Sequence, residues 1–301
     1  MGDRIEANTM ADIYKMGREV LRESPVVRPR GMATKEQLSF SFCLRNPRAR
    51  LTYHPDRKFN LIQAIGESIL LFQPVSRLKY FAWLNPKFQD FSDDDYSLYG
   101  AYGKRIAQYI STVVEKLKKD SDSRQAILSI VKIEDHFYKT KDFPCTIALQ
   151  FLIRDGKLQC HTYMRSNDFI WGTPYDVFMF TILQEVIANE LELELGSYYH
   201  TATSMHIYER HWELLESIKT VDSVEFSVHY KLKDMEELGE ILIAQIDDKE
   251  CNYNVHNLQP FSTLLIKENA FRRSRPQSVT IADKCVWARP FVKRWADRIM
   301  S

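Results

Sequence analysis

Two apolar runs, Ile147–Ile153 and Leu158–Met164, are joined by Arg154-Asp155-Gly156-Lys157. Asp-Gly between strand-forming runs supplies the positive-φ positions of a tight hairpin turn, so this stretch is held to pairing with itself. Soon after comes Tyr175–Leu191, a long run with the length of a helix and apolar residues on more than one side. Such a helix has to be covered on several sides. A hairpin followed by a buried helix points to an α/β chain, in the broad α+β sense, with a large sheet. No repeat, low-complexity stretch or interdomain linker interrupts the 301 residues, which read as one domain.

Elsewhere the pattern is more local. Residues 9–23 carry Met10, Ile13, Tyr14, Met16, Val20 and Leu21 at helical spacing and stop before Ser24-Pro25. Val26–Gly31 reads as a loop with two arginines, and Leu38–Leu51 as strand, turn and strand around Asn46-Pro47. Asn60–Phe72 reads as a mostly apolar helix carrying one acid, Glu67. Residues 85–95 read as an acidic surface loop, Ile106–Lys118 as a helix and Gln125–Ile133 as a strand. Phe226–Leu232 and Glu240–Ile246 suggest further elements.

The net charge of +1 gives no field of one sign for duplex nucleic acid or a membrane surface, which argues against a polymeric nucleic-acid partner. A nucleotide monomer needs only a few arginines in one pocket. The N-terminus lacks an apolar signal core, Glu6 stands where an acylation motif has Ser or Thr, and the run Val177–Leu183 is too short to span a bilayer. Cys43, Cys145, Cys160, Cys251 and Cys285 are widely spaced, with no CxxC pair. That pattern argues against a disulfide framework or a structural metal site and for a reducing cytoplasm.

Pro144-Cys145 opens the hairpin, Met164-Arg165-Ser166-Asn167-Asp168 closes it, and Gly172-Thr173-Pro174-Tyr175-Asp176 leads into the apolar helix. A thiolate candidate, a phosphate-seeking arginine and a carboxylate thus fall within a short span. Positive charge near a thiol raises its thiolate fraction. The order and spacing resemble the thymidylate synthase superfamily, with few gaps from about Asn60 to His211. The resemblance implies that superfamily's fold: a large mixed sheet flanked by helices, dimerising through the sheet with shared active sites. The stretch from about residue 212 is an atypical C-terminal extension.

The resemblance also implies roles. Cys145 is the nucleophile that adds to C6 of the pyrimidine, Glu67 manages active-site water, and Tyr102 in Gly100-Ala101-Tyr102-Gly103 lies beside the base. Arg165 and Ser166 bind the phosphate, joined by Arg30 (or Arg28) and by Arg124 reaching across a dimer interface. Thymidylate synthases often have two adjacent arginines at that last point, where this chain has Arg124-Gln125. His206 and Tyr208 hold the sugar 3′-hydroxyl, Asp168 contacts the folate pterin, and Phe88 stands where the family has a tryptophan near the folate. The co-substrate is 5,10-methylenetetrahydrofolate, with no metal.

Attack at C6 breaks the ring conjugation and makes C5 enamine-like. Thymidylate synthases read uracil with an asparagine where this chain has Asp176. An aspartate there resembles the deoxycytidylate and cytidylate 5-hydroxymethylases, whose carboxylate accepts from N4–H and from a protonated N3. Phe88 and the polar ending Lys293–Ser301 point to water rather than hydride trapping the one-carbon unit. Two alternatives stay open: a thymidylate synthase-type methyltransferase, and a non-catalytic nucleotide- or RNA-binding paralogue using the basic run Lys267–Arg275. Each residue also has a plain reading: Asp176 as a helix N-cap, the arginines as surface ion pairs, His206 and Tyr208 as a core pair.

Overall fold

The computed structural model describes residues 5–54, 57, 59–218, 222–249, 258 and 260–272. In chain order its elements are β1 (Ile5–Ala7), α1 (Met10–Arg22), β2 (Val26–Val27), β3 (Thr34–Leu44), β4 (Leu51–Tyr53), α2 (Leu61–Leu70), α3 (Leu78–Leu84), α4 (Tyr102–Ile106), α5 (Ile110–Lys119), β5 (Ile127–Ser129), β6 (Thr146–Arg154), β7 (Lys157–Asp168), α6 (Thr173–Leu191), β8 (Glu194–Tyr208), α7 (Trp212–Ser217), β9 (Asp222–Val224), α8 (Leu232–Ile246) and α9 (Phe261–Arg272). The described residues within 1–58, 109–138 and 144–229 gather into one compact unit. Those within 59–108, 139–143 and 230–301 gather into a second.

The first unit is built on a mixed seven-stranded sheet in the order β1-β3-β8-β7-β6-β5, with β2 also on β3. The hairpin forms as its turn requires. Arg154 pairs with Lys157, and Asp155 and Gly156 take φ of 53° and 71°. β7 and β8 run parallel with α6 as the crossover between them. From Val177 to Ala188 every side chain of α6 is buried. The Gln184 amide donates to the carbonyls of Leu158, Gly196 and Ser197, tying this helix to both parallel strands. Glu185, also buried, pairs with Arg48 at 2.8 Å and with the fully buried Arg50. A buried carboxylate is tolerated because two guanidiniums meet it.

Helix α1 begins where the Thr9 hydroxyl accepts from the Asp12 N–H and packs on β3, and the Tyr14 hydroxyl donates to the Phe169 carbonyl at 2.9 Å. On the sheet, Leu128, Leu149, Thr162, His200 and Phe42 form one buried cross-strand row. The opposite face presents Ile127, His161, Tyr163, Tyr199 and Thr201. Ile127 and Tyr163 are exposed there, and the His161 and Tyr199 rings stack at 4.3 Å.

Leu38–Leu51 is strand, turn and strand around Asn46-Pro47 as expected, and since β3 has β1 and β2 on one side and β8 on the other, β4 pairs with β9. Several sequence expectations are corrected. Strand β5 occupies only three residues of Gln125–Ile133, and the helix expected over Ile106–Lys118 is α4, a 3₁₀ turn and α5 in succession. Within Val26–Gly31, Val26–Val27 pairs with β3 and Pro29–Gly31 forms a 3₁₀ turn. Residues 225–231 carry no regular element. The long central strand β8 was not anticipated at all. Cys251, Cys285, residues 273–275 of the basic run and Lys293–Ser301 lie outside the described residues.

In the second unit, α2 is nearly all buried and packs with α3, α8 and α9. Among the described residues no helix is long and apolar enough to cross a membrane.

Candidate active site

Cys145 sits immediately before β6, where the antiparallel ladder brings it beside Arg165 of β7. The Arg165 N–H donates to the Cys145 carbonyl at 2.9 Å. Its Nε donates to the Pro144 carbonyl at 2.9 Å, and its Nη2 lies 3.6 Å from the Cys145 sulfur. The guanidinium is thus anchored by backbone and set against a partly exposed free thiol. Positive charge at that place is what a sulfur nucleophile requires.

Farther along β7, parallel pairing with β8 places Ser166 beside Ser204 and Asp168 beside His206. Ser166 Oγ lies 3.4 Å from His206 Nδ1, and the His206 and Tyr208 rings meet edge-on at 5.0 Å. Burial pulls the His206 imidazole below its ordinary value, while the neighbouring Asp168 charge pulls it up. The charge of Arg30 is also felt at His206, so the loop arginine borders this cluster. Arg30 is exposed with φ of 52°. Asp168 Oδ1 accepts the backbone N–H groups of Ile170 and Trp171 at 2.8 and 3.1 Å, and the Trp171 indole donates to His211 at 3.0 Å.

Asp176 is not the N-cap of α6. Gly172 holds that position without a side-chain cap, and Asp176 lies within the first turn. Its Oδ2 accepts from Asn167 Nδ2 at 2.7 Å. Burial pushes the Asp176 carboxyl up to about 7; the Asn167 hydrogen bond opposes that shift and the Asp168 charge adds to it. A carboxyl tuned to this range both gives and takes a proton near neutrality.

The second unit carries Glu67, Phe88 and Tyr102. The Asn60 side chain caps α2, and Gln63 one turn before Glu67 donates to Glu67 Oε2 at 2.9 Å. The Asn85 amide in turn donates to Gln63 Oε1 at 2.8 Å, so two amides orient one carboxylate. Phe88 packs edge-on against Phe81 at 5.6 Å. Tyr102, partly exposed, opens α4. The segment before it is held by Asp142, which accepts the Gly100 N–H at 2.8 Å, and by Arg105, which donates to the Tyr99 carbonyl at 3.0 Å. Burial raises the Asp142 carboxyl to about 6.

Within the first unit the structure thus sets Cys145 against Arg165, Ser166 and Asp168 beside His206, Tyr208 against the His206 ring, and Asp176 against Asn167. Arg124 is exposed on the loop before β5, its carbonyl accepting from the Gln150 amide. Among the described residues no group of three or more His, Cys, Asp or Glu could hold a metal ion. Sequence reasoning missed Asn167, Thr173, Tyr198 and His200 around Asp176, and Gln63 and Asn85 behind Glu67. Only the Gln63 and Glu67 pair had a visible signal, a spacing of four on one helix.

Residues 57–260 match the family described as thymidylate synthase. The deoxyuridylate hydroxymethyltransferase of Bacillus phage SP01 is 32% identical over 207 residues, covering 63% of this chain and 54% of that protein. The chain thus spans about half the length of this curated relative.

Proposed function

The chain belongs to the thymidylate synthase family, and on that premise we propose that it transfers a one-carbon unit to C5 of a cytidylate. dCMP or CMP becomes the 5-hydroxymethyl nucleotide, with 5,10-methylenetetrahydrofolate and water as co-substrates. The observation that carries this reading is the Arg165 guanidinium set against the Cys145 sulfur, and a carboxyl at Asp176 poised near neutrality supports it.

Cys145 Sγ adds to C6, which makes C5 nucleophilic. Charge develops on the ring as that bond forms and needs stabilisation where it appears. Asp176 meets the N3 and N4 edge and shares its proton with N3, drawing electrons from C6. Arg165, Ser166, Arg30 and Arg124 of the partner subunit take the phosphate, and His206 with Tyr208 the 3′-hydroxyl. Methylenetetrahydrofolate supplies a one-carbon unit at the oxidation level of formaldehyde. The residues present suit a reduced folate: Asp168 is an acceptor fixed by two backbone N–H groups, and Trp171 and Phe88 offer planar apolar surface. Glu67, oriented by Gln63 and Asn85, holds the water that completes the hydroxymethyl group.

A homodimer through the open sheet face is supported by exposed Ile127 and Tyr163 and by the exposed Arg124. Free thiols at Cys43, Cys145 and Cys160 suit a reducing cytoplasm. A second reading takes dUMP as substrate. It is favoured by the name of the phage relative and by a carboxyl near 7, which can donate to a carbonyl when protonated. Solvent labelled with heavy oxygen distinguishes transfer to water from transfer of hydride. The label appears in the nucleotide product if this reading holds, whereas a methyl product formed with dihydrofolate overturns it.

A further inference from the structure

Asn167 lies between Ser166 and Asp168 and has no part in the roles described so far. Its side chain is buried, at 4% exposure. Oδ1 accepts from Thr173 Oγ1 at 2.7 Å and faces His200 Nε2 at 3.0 Å, while Nδ2 donates to Asp176 Oδ2 at 2.7 Å. The Gly172 position permits this approach, since a Cβ there would lie 2.8 Å from Asn167 Nδ2. His200 is fully buried and stacked on Phe42 at 4.8 Å, with its Nδ1 3.0 Å from the Tyr198 hydroxyl. Burial pushes the imidazole down to about 3, so it is neutral at any working pH.

A neutral imidazole has one N–H. Facing an amide oxygen, Nε2 carries it, and Nδ1 accepts from Tyr198. The donors therefore run one way, from Tyr198 to His200 to Asn167 to Asp176. We propose that this buried chain sets the base preference: Asn167, kept from turning over by Thr173 and by the Tyr198–His200 pair, confines the carboxyl proton of Asp176 to Oδ1. The proposal rests on the reading of Asp176 as the base-contacting group.

The consequence follows from the two pyrimidine edges. Cytosine presents a donor at N4 and an acceptor at N3; uracil presents a donor at N3 and an acceptor at O4. These edges have opposite polarity. A carboxyl whose proton is free to sit on either oxygen matches both. One whose Oδ2 already receives an amide hydrogen keeps its proton on Oδ1 and matches only one. If Asn167 turned over, its Oδ1 would face Asp176 and draw the proton to Oδ2, reversing the polarity. Tyr198, His200 and Thr173 act through Asn167 and are positioning residues.

The test compares dCMP and dUMP as probes on wild type, Tyr198→Phe, Thr173→Val and the double variant, with Asp176→Asn alongside. Dissociation constants from equilibrium dialysis and kcat/KM are both measured. A wild-type preference of about ten- to a hundredfold is expected to shrink to within a few-fold in the double variant. Simple loss of packing weakens both nucleotides alike and leaves the ratio where it was. If Asp176→Asn moves the ratio but the hydroxyl deletions do not, the relay is overturned while base reading stands. If Asp176→Asn itself leaves the ratio unchanged, the base-reading premise has failed. Should the double variant not fold, Tyr198→Phe removes one hydroxyl at unchanged ring volume and carries the same test.

Discussion

Replacing Asp176 by Asn separates a base-reading carboxyl from a merely structural one, because it perturbs stability and specificity in different ways. The carboxyl is raised from an ordinary 3.8 to about 7 in the folded protein. The folded state thus holds this proton more tightly than the unfolded chain. The contribution to stability is fully present below the unfolded value and is lost as pH rises through about 7. At roughly 1.4 kcal/mol per unit, the shift has an upper bound of about 4 kcal/mol. Asp176 is partly exposed, so solvent screening reduces this to about 1–2 kcal/mol. Asn has no proton to lose and keeps an oxygen for Asn167. Its stability relative to wild type should be level near about pH 4 and rise in favour of the variant by about pH 8. Denaturant unfolding of both proteins across that window measures the difference. In the same proteins kcat/KM for dCMP should fall and dUMP use should rise, by about 1–3 kcal/mol in the ratio. A stability difference that stays flat with pH refutes the raised carboxyl, and an unchanged ratio refutes base reading.

Cys145→Ala should fold and bind nucleotide but lose exchange of the cytosine C5 hydrogen with solvent, followed by NMR; retained exchange removes Cys145 as the nucleophile. Mixing Arg124→Ala with Cys145→Ala subunits should restore one working site per heterodimer, read as recovered turnover. No recovery at any mixing ratio contradicts shared sites. Gln63→Leu should slow product formation by about tenfold or more with little change in nucleotide affinity, since it removes the donor that orients Glu67 without touching the phosphate site. Equal losses in kcat and affinity would make Gln63 part of the packing only.

The hairpin was legible because Asp155-Gly156 fixes its turn locally, and α1 and α6 because their apolar spacing exceeds what loops show. Strand β8 was not legible. Its buried row includes Tyr198 and His200, and Thr201, Thr203 and Ser204 interrupt any apolar run. The polarity that hid the strand is the polarity that orients Asn167. The chemical residues could be read in order from motifs, but Asn167 and His200 stand 33 residues apart, on β7 and β8, and meet only in the folded sheet. A cap stayed open as the lesser reading of Asp176, because spacing alone does not reveal that Gly172 starts the helix. The turn at Asn46-Pro47 was legible, but not the partner of β4, because a turn signal cannot report that both edges of β3 are taken.

The most direct test of the account is one incubation of the protein with dCMP, CMP, dUMP and 5,10-methylenetetrahydrofolate, read by product mass. A cytidylate should gain the mass of one formaldehyde unit while dUMP reacts at least about tenfold more slowly. A product from dUMP alone, or a nucleotide heavier by one methylene with dihydrofolate beside it, would contradict the account.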